Sequence, residues 1–266
     1  MKTSGLVDYH IHTKYCNHAT GEMEEYVIKA IEIGLAQIGF AEHMPVMPQP
    51  ELCLSYEDLP VYYQGAVDLR EMYSESISIR IGAEIDILPE KYDEIRQILS
   101  DYPFDYVIGS LHYLDGWPFD QKEYINGFQR GLLEEHYHSF FTKIVEIASS
   151  GFCDILGHAD NLKRMGFPPP NNPRPYYRKI IEAIGDNGLS IELNTSGIDA
   201  PIKEMYPSPI FLRMLISSGV PITLGSDAHA PDQVGRHFAK ARSLLKEFGL
   251  KKIRIYRQRK GAYLTI

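Results

Sequence analysis

Short apolar, β-branched runs recur along the chain, and most close on a polar side chain. They are LVDYHIH (6–12), AQIGFAEH (36–43), ISIRIGAEID (77–86), FDYVIGSLHY (104–113), CDILGHAD (153–160), LSIELNTSG (189–197) and PITLGSDAH (221–229). Between them lie stretches of helical period: EEYVIKAIEIG (24–34), EKYDEIRQILS (90–100), FFTKIVEIASSG (140–151), YYRKIIEAIGDNG (176–188) and FLRMLISSG (211–219), several of which stop at the Gly expected of a C-cap. Strands alternating with amphipathic helices predict βαβ units, right-handed crossovers and a parallel sheet. Seven such units between residues 6 and 229 fit a closed barrel better than two separate domains. The Pro-rich FPPPNNPRP (167–175) is too short for an interdomain linker and reads as a rigid loop inside one domain covering 1–266. The run KKIRIYRQRK (251–260) alternates basic and apolar residues, as a strand with one solvated face does.

In such a barrel, side chains at the C-terminal ends of the strands converge on one mouth. The residues placed there are His10, His12, His43, Glu84, His112, His158, Asn194, Asp227 and His229. They come from seven strands, a coincidence much less frequent than any single motif.

Composition narrows the classes. The chain has 266 residues, 44% hydrophobic and 23% charged, which suits a soluble globular protein. No apolar run approaches the roughly 18 residues of a membrane span, and the N-terminus lacks a signal-peptide layout. Three cysteines (Cys16, Cys53, Cys153) without a C-x-x-C pair predict a reduced, cytoplasmic protein. A net charge of −8 argues against a nucleic-acid surface.

The chemistry begins with His10 and His12. Two residues apart on a strand, both imidazoles share one face, a common start for a zinc, iron or manganese site. Glu84 and Asp227 add hard oxygen ligands from distant strands, and a carboxylate can bridge two ions. With His18, in the loop after the first strand, seven histidines and two carboxylates exceed the needs of one ion and suit two or three.

In this order, DYHIHT, AEH, GAEID, GSLHY, GHAD and GSDAH resemble the PHP (polymerase and histidinol phosphatase) family over residues 6–245. YPFDYVIGSLHY, NTSG…KEMYPSP and GSDAHAPDQVG are similar, more narrowly, to the bacterial histidinol-phosphate phosphatases. The resemblance implies an α/β fold, a distorted (β/α)7 TIM-like barrel with a trinuclear metal site at the C-terminal ends of its strands. It implies that His10, His12, Glu84 and Asp227 hold one divalent ion and that Glu84 bridges to a second held with His112 and His158. His18, His43 and His229 would hold the third. The activity implied is a phosphoric monoester hydrolase cleaving L-histidinol phosphate in histidine biosynthesis. Three dications bring about +6 against −2 from the catalytic carboxylates Glu84 and Asp227, enough to draw a phosphate ester into an acidic protein. A hydroxide bridging the ions is the expected nucleophile.

Other residues are candidates for the substrate. Arg164 and Lys163 follow GHADN and are placed to clamp phosphate; Asn194, Ser196 and His237 are placed to hydrogen-bond the ligand or shape its loops. Cys16 lies among the ligands without being needed for the count, and His136 and His138 read as surface histidines on a helix. One departure stands out. After NTSG, histidinol-phosphatase relatives commonly carry Leu-Arg, whereas this chain has Ile198-Asp199-Ala200, so Asp199 either faces the amine end of the substrate or points to solvent. The competing readings are a phosphoesterase on another small ester or nucleotide, a metal-dependent amidohydrolase, a nuclease, and a non-enzymatic metal-binding module.

Overall fold

The computed structural model describes residues 5–128 and 132–266. The strands in chain order are β1 (Val7–Asp8), β2 (Gln37–His43), β3 (Ser78–Asp86), β4 (Tyr106–Ser110), a small ribbon of β5 (Tyr113–Leu114) and β6 (Trp117–Pro118), then β7 (Ile155–Leu156), β8 (Ser190–Asn194), β9 (Ile222–Gly225), and a hairpin of β10 (Lys252–Arg257) and β11 (Lys260–Thr265). The helices are α1 (Met23–Glu32), α2 (Leu59–Met72), α3 (Tyr92–Asp101), α4 (Leu133–Ser149), α5 (Arg174–Asn187), α6 (Pro209–Ser217) and α7 (Phe238–Glu247). Seven parallel strands pair in the order β1-β2-β3-β4-β7-β8-β9. Past β1 the chain bonds to the last strand and completes the ring: Tyr9 N to Leu224 O (3.0 Å), His12 N to Ala228 O (2.9 Å) and Ala228 N to His10 O (3.2 Å). The fold is the expected TIM-like α/β barrel. Every residue of β2 is buried, as a strand covered on both faces requires.

Two helices, α2 and α7, go beyond the sequence expectation. In α2, Pro60 opens the helix but Gly65 interrupts its pattern, and its apolar stripe is diffuse. Two strands keep only two residues of their apolar runs. LVDYHIH contributes only Val7–Asp8 and CDILGHAD only Ile155–Leu156, because the residues beyond leave the ladder to shape the mouth. In 167–175 the loop ends early, since Arg174-Pro175 already form the first turn of α5, where a proline's missing N–H costs nothing.

Two tyrosines stack inside the aliphatic core. Tyr9 and Tyr106 stack at 4.7 Å, and the Tyr106 hydroxyl donates to the Tyr9 carbonyl at 2.7 Å. A methyl on Gly82 would lie 2.3 Å from the Tyr106 ring, so this strand position has to be glycine. At the N-terminal floor, the basic run becomes a strand, a turn at Gln258–Arg259 and a return strand. Both turn residues have positive φ (50° and 61°). The turn is fixed by Asp105, whose Oδ1 accepts from Gln258 N (3.0 Å) and whose carbonyl accepts from Arg259 N (2.8 Å). The hairpin also brings the end of β11 beside the start of the chain: a side chain on Gly5 would meet the Thr265 carbonyl at 2.8 Å.

Candidate metal centre

The chain through residues 8–12 is extended, so Asp8, His10 and His12 alternate with Tyr9 and Ile11 and point to the same side. Five imidazoles of the site are then fixed from behind. His10 Nδ1 meets Glu192 Oε1 at 2.7 Å, His12 Nδ1 meets Glu42 Oε1 at 3.2 Å, and His112 Nδ1 meets Asp86 Oδ2 at 2.9 Å. His18 Nδ1 donates to the Cys16 carbonyl at 2.7 Å and His229 Nδ1 to the Asp227 carbonyl at 3.1 Å. Anchoring Nδ1 in this way turns Nε2 toward the mouth, the arrangement by which proteins orient metal-binding histidines.

Glu84 lies at the centre, 1% exposed. Its Oε1 is 2.9 Å from His158 Nε2 and 3.6 Å from His112 Nε2. Its Oε2 faces a different set: His10 Nε2 at 3.2 Å, His12 Nε2 at 3.5 Å and His43 Nδ1 at 2.9 Å. Asp227 Oδ1 is 3.4 Å from His12 Nε2 and 4.0 Å from His10 Nε2. On the rim, His18 Nε2 and His229 Nε2 face one another at 3.1 Å. His10 Nε2, His12 Nε2, His43 Nδ1 and Glu84 Oε2 are all buried without a hydrogen-bond partner. Natural folds rarely leave such atoms unpaired, and a divalent cation would satisfy them. The donor set fits a metal.

The ligand atoms fall into groups close enough to share an ion: His10, His12 and Asp227; His10, Glu84 and His158; His12, His43 and Glu84; and His18, His43 and His229. His43 thus stands between the carboxylate cluster and the rim. Cys16 joins His12 and His229 in a further group, but its Sγ donates to the Thr13 carbonyl at 3.1 Å and burial keeps the thiol protonated.

Burial disfavours every charge here, and the neighbours decide the outcome. It opposes ionisation of Glu84 and Asp227, yet His10, His43 and His112 hold Glu84, and His10 and His12 hold Asp227, well below the usual carboxylate range. Burial also opposes protonation of His10, which Glu192, Glu84 and Asp227 override, raising it well above normal. Against the same opposition, Asp227 and Glu42 push His12 up to about 9, and Asp86 and Glu84 push His112 up to about 10. On the rim, burial and then neighbouring imidazoles lower His18 to about 4, and His43 and His229 are lowered likewise. The inner cluster attracts cations, while the rim offers neutral imidazoles, the form that donates a lone pair to a metal.

Asp227 reaches its place at a cost. Its φ is +54°, a left-handed conformation worth roughly 1 kcal/mol or more of strain for a residue with a side chain. Asn194 Nδ2 (3.4 Å) and Ser196 Oγ (3.2 Å) steady Asp227 Oδ2 from behind. These two residues are buried at the cluster and lie outside the cavity lining, so the geometry makes them supports of Asp227.

Above the cluster opens a cavity of about 510 Å³, with Arg164, Tyr206 and Arg236 among its lining, and Asp120, Gln121 and Glu123 contributed by the segment after β6. Lys163 requires a correction. It is 2% exposed, its ammonium pairs with Asp160 (3.0 Å) and Glu204 (2.6 Å), and it does not line the cavity. Releasing it toward a phosphate would leave the buried Asp160 without its counter-charge, so it braces the loop. His237 is likewise committed to Asp199, at 2.8 Å. Asp199 is half-exposed and pairs with His237 and Arg236, outside the cavity lining. His136 and His138, on α4, bond to the Gly127 carbonyl and the Tyr176 hydroxyl, far in the chain from any ligand.

Against this geometry, the model of the PHP domain matches residues 8–196, well over half of the chain. The chain belongs to the PHP domain family. Among curated PHP relatives, a Deinococcus radiodurans protein named probable histidinol-phosphatase is 34% identical over 250 residues, covering 92% of this chain and 95% of its own. Histidinol-phosphatase of Bacillus subtilis is 27% identical over 258 residues, covering 86% of this chain and 95% of its own. The crystal structure of histidinol phosphate phosphatase from Lactococcus lactis, complexed with zinc, L-histidinol and phosphate, has a TM-score of 0.84 at 25% identity. It covers 97% of this chain and 99% of that one.

Sequence reading overlooked the residues behind the candidate ligands of this PHP domain: Asp8, Glu42, Asp86 and Glu192. A signal was present, since Asp8, Asp86 and Glu192 each lie two residues from a site residue on the same strand face. Glu192 ties three elements of the site together, holding His10 Nδ1 (2.7 Å), His158 N (3.0 Å) and Asn194 Nδ2 (3.2 Å). Gly225 makes room for it, since a methyl there would lie 1.9 Å from Glu192 Oε1. Glu192→Gln is expected to weaken metal binding about 10- to 100-fold while leaving the far-ultraviolet circular dichroism unchanged. Chelator competition measures it, and wild-type affinity would mean that His10 needs no anionic anchor.

Proposed function

We propose that this PHP-domain chain is a metal-dependent phosphomonoesterase that hydrolyses L-histidinol phosphate to L-histidinol and phosphate, a step of histidine biosynthesis. The observation that carries the reading is Glu84, whose two oxygens face two separate sets of imidazoles at the floor of the cavity. The names of the curated relatives and the ligands of the Lactococcus lactis structure supply the substrate.

His10, His12, Glu84 and Asp227 would hold one ion, Glu84, His112 and His158 a second, and His18, His43 and His229 a third, each zinc, iron or manganese. Bound dications supply a nucleophile at neutral pH and neutralise charge on the phosphoryl oxygens. The chain's own contribution is orientation: Glu42, Asp86 and Glu192 fix the imidazoles, Asn194 and Ser196 fix Asp227, and Arg164 adds a cation to the wall. The substrate's amine and imidazole end would lie toward Asp120 and Glu123, on the acidic part of the lining. Residues 1–266 act as one catalytic domain, supported by the hairpin fixed to the barrel floor. Among the described residues no helix is long and apolar enough to cross a membrane, which agrees with a cytoplasmic biosynthetic enzyme.

A panel of phosphomonoesters, given to metal-analysed protein, tests the proposal. Histidinol phosphate is expected to show the highest kcat/KM. A preference for another ester by ten-fold or more would transfer the activity to that substrate.

A further inference from the structure

One cation of the cavity lining is built into the fold in a way the others are not. Arg236 lines the cavity with its side chain 19% exposed. Its Nε donates to the Ser226 carbonyl at 2.8 Å, and its Nη2 donates to the Asp227 carbonyl at 2.7 Å. Those carbonyls belong to the turn whose positive φ at Asp227 aims the carboxylate at His10 and His12. On its other side, Nη1 lies 3.6 Å from Asp199 Oδ2, and Asp199 Oδ1 accepts from His237 Nε2 at 2.8 Å.

We propose that Arg236 is a phosphate-binding residue of this site and that Asp199 is a positioning residue holding its guanidinium at the cavity wall. The proposal rests on the phosphatase reading. A guanidinium has five N–H donors, and the two carbonyls use two of them. The remaining donors on Nη1 and Nη2 form a planar fork that matches two oxygens of a phosphate. Because the side chain is already fixed at Nε, Nη2 and Nη1, it loses little freedom when an anion arrives. The same contacts place it beside the backbone of Asp227, so the wall cation and the metal-facing carboxylate are held in one register. Asp199 explains how an acidic residue is tolerated near a phosphate site: its charge is taken up by Arg236 and His237, outside the cavity lining.

Inorganic phosphate is the probe, titrated calorimetrically into metal-loaded wild-type, Arg236→Gln, Arg236→Lys, Asp199→Ala and Asp199→Asn proteins, with metal content measured on the same samples. kcat and KM on p-nitrophenyl phosphate accompany it. Arg236→Gln is expected to weaken phosphate about ten-fold or more and to raise KM, with Lys recovering part of the loss. Asp199→Ala should weaken phosphate several-fold through KM rather than kcat, and Asn, which keeps an acceptor for Nη1, should recover most of it. Unchanged phosphate affinity in metal-loaded Arg236→Gln would reduce Arg236 to a brace for the Asp227 turn and overturn the proposal. Unchanged or tighter phosphate binding in Asp199→Ala would overturn the role of Asp199. Neither probe carries the histidinol moiety, so turnover of p-nitrophenyl phosphate without turnover of histidinol phosphate would count against the substrate reading alone.

Discussion

Glu84→Gln is expected to lose most of its bound metal and at least roughly a thousand-fold in kcat/KM, while His18→Ala loses less of both. The thousand-fold figure is the scale seen when one preorganised electrostatic group is removed from a site, and Glu84 is proposed to serve two ions. Its oxygens are within 3.6 Å of five imidazole nitrogens on two sides. The amide nitrogen of Gln has no lone pair to offer, so whichever way the amide turns, one side loses its ligand. The neutral amide also withdraws the charge against which His10, His12 and His112 are held. His18 is different, an exposed rim residue paired with His229 and tied to the Cys16 carbonyl. Metal analysis of both variants decides the matter. Equal metal loss would show that Glu84 serves a single ion.

Stripping the metal is expected to abolish turnover and to lower thermal stability together. The buried His10 Nε2, His12 Nε2, His43 Nδ1 and Glu84 Oε2 have no hydrogen-bond partner, and each unsatisfied buried group costs about 1–3 kcal/mol. A ligand at 100 times its Kd stabilises a fold by about 2.7 kcal/mol, which in a domain of this size moves the Tm by roughly 5–10 °C. Exhaustive chelation followed by calorimetry should show that fall, and returning zinc, iron(II) or manganese should restore both stability and activity. Full turnover by protein shown to be metal-free would remove the metal from the mechanism altogether.

The sequence exposed the barrel and the candidate ligands that gather at its mouth for one physical reason. A strand ending at a catalytic mouth is an apolar run that stops on a polar side chain, and His43, Glu84, His112, His158 and Asp227 all follow that rule. What it concealed depends on contacts between distant segments. Glu192 touches His10 across 182 residues, and its place two residues before Asn194 sets its strand face without naming the imidazole it meets. Lys163 and Arg164 are neighbours with identical charge, yet one is spent on Asp160 and Glu204 while the other lines the cavity. The Gln258–Arg259 turn lacks the Asn or Gly that usually marks a hairpin, because Asp105 supplies the restraint from another strand. Arg236 gave no signal because the contacts that fix it are to backbone carbonyls, which every residue carries.

The meeting of Gly5 with Thr265 beneath the barrel has a use in protein engineering. Residues that nearly touch can be joined by a short linker, and the backbone can then be opened in a surface loop without unthreading any strand. The junction would lie at the floor, with the length of the barrel between it and the metal-facing side chains. A circularly permuted variant cut at the exposed Asn187–Gly188 turn between α5 and β8, on the floor side, or a carrier attached beside Thr265, would therefore leave the mouth clear for substrate to enter.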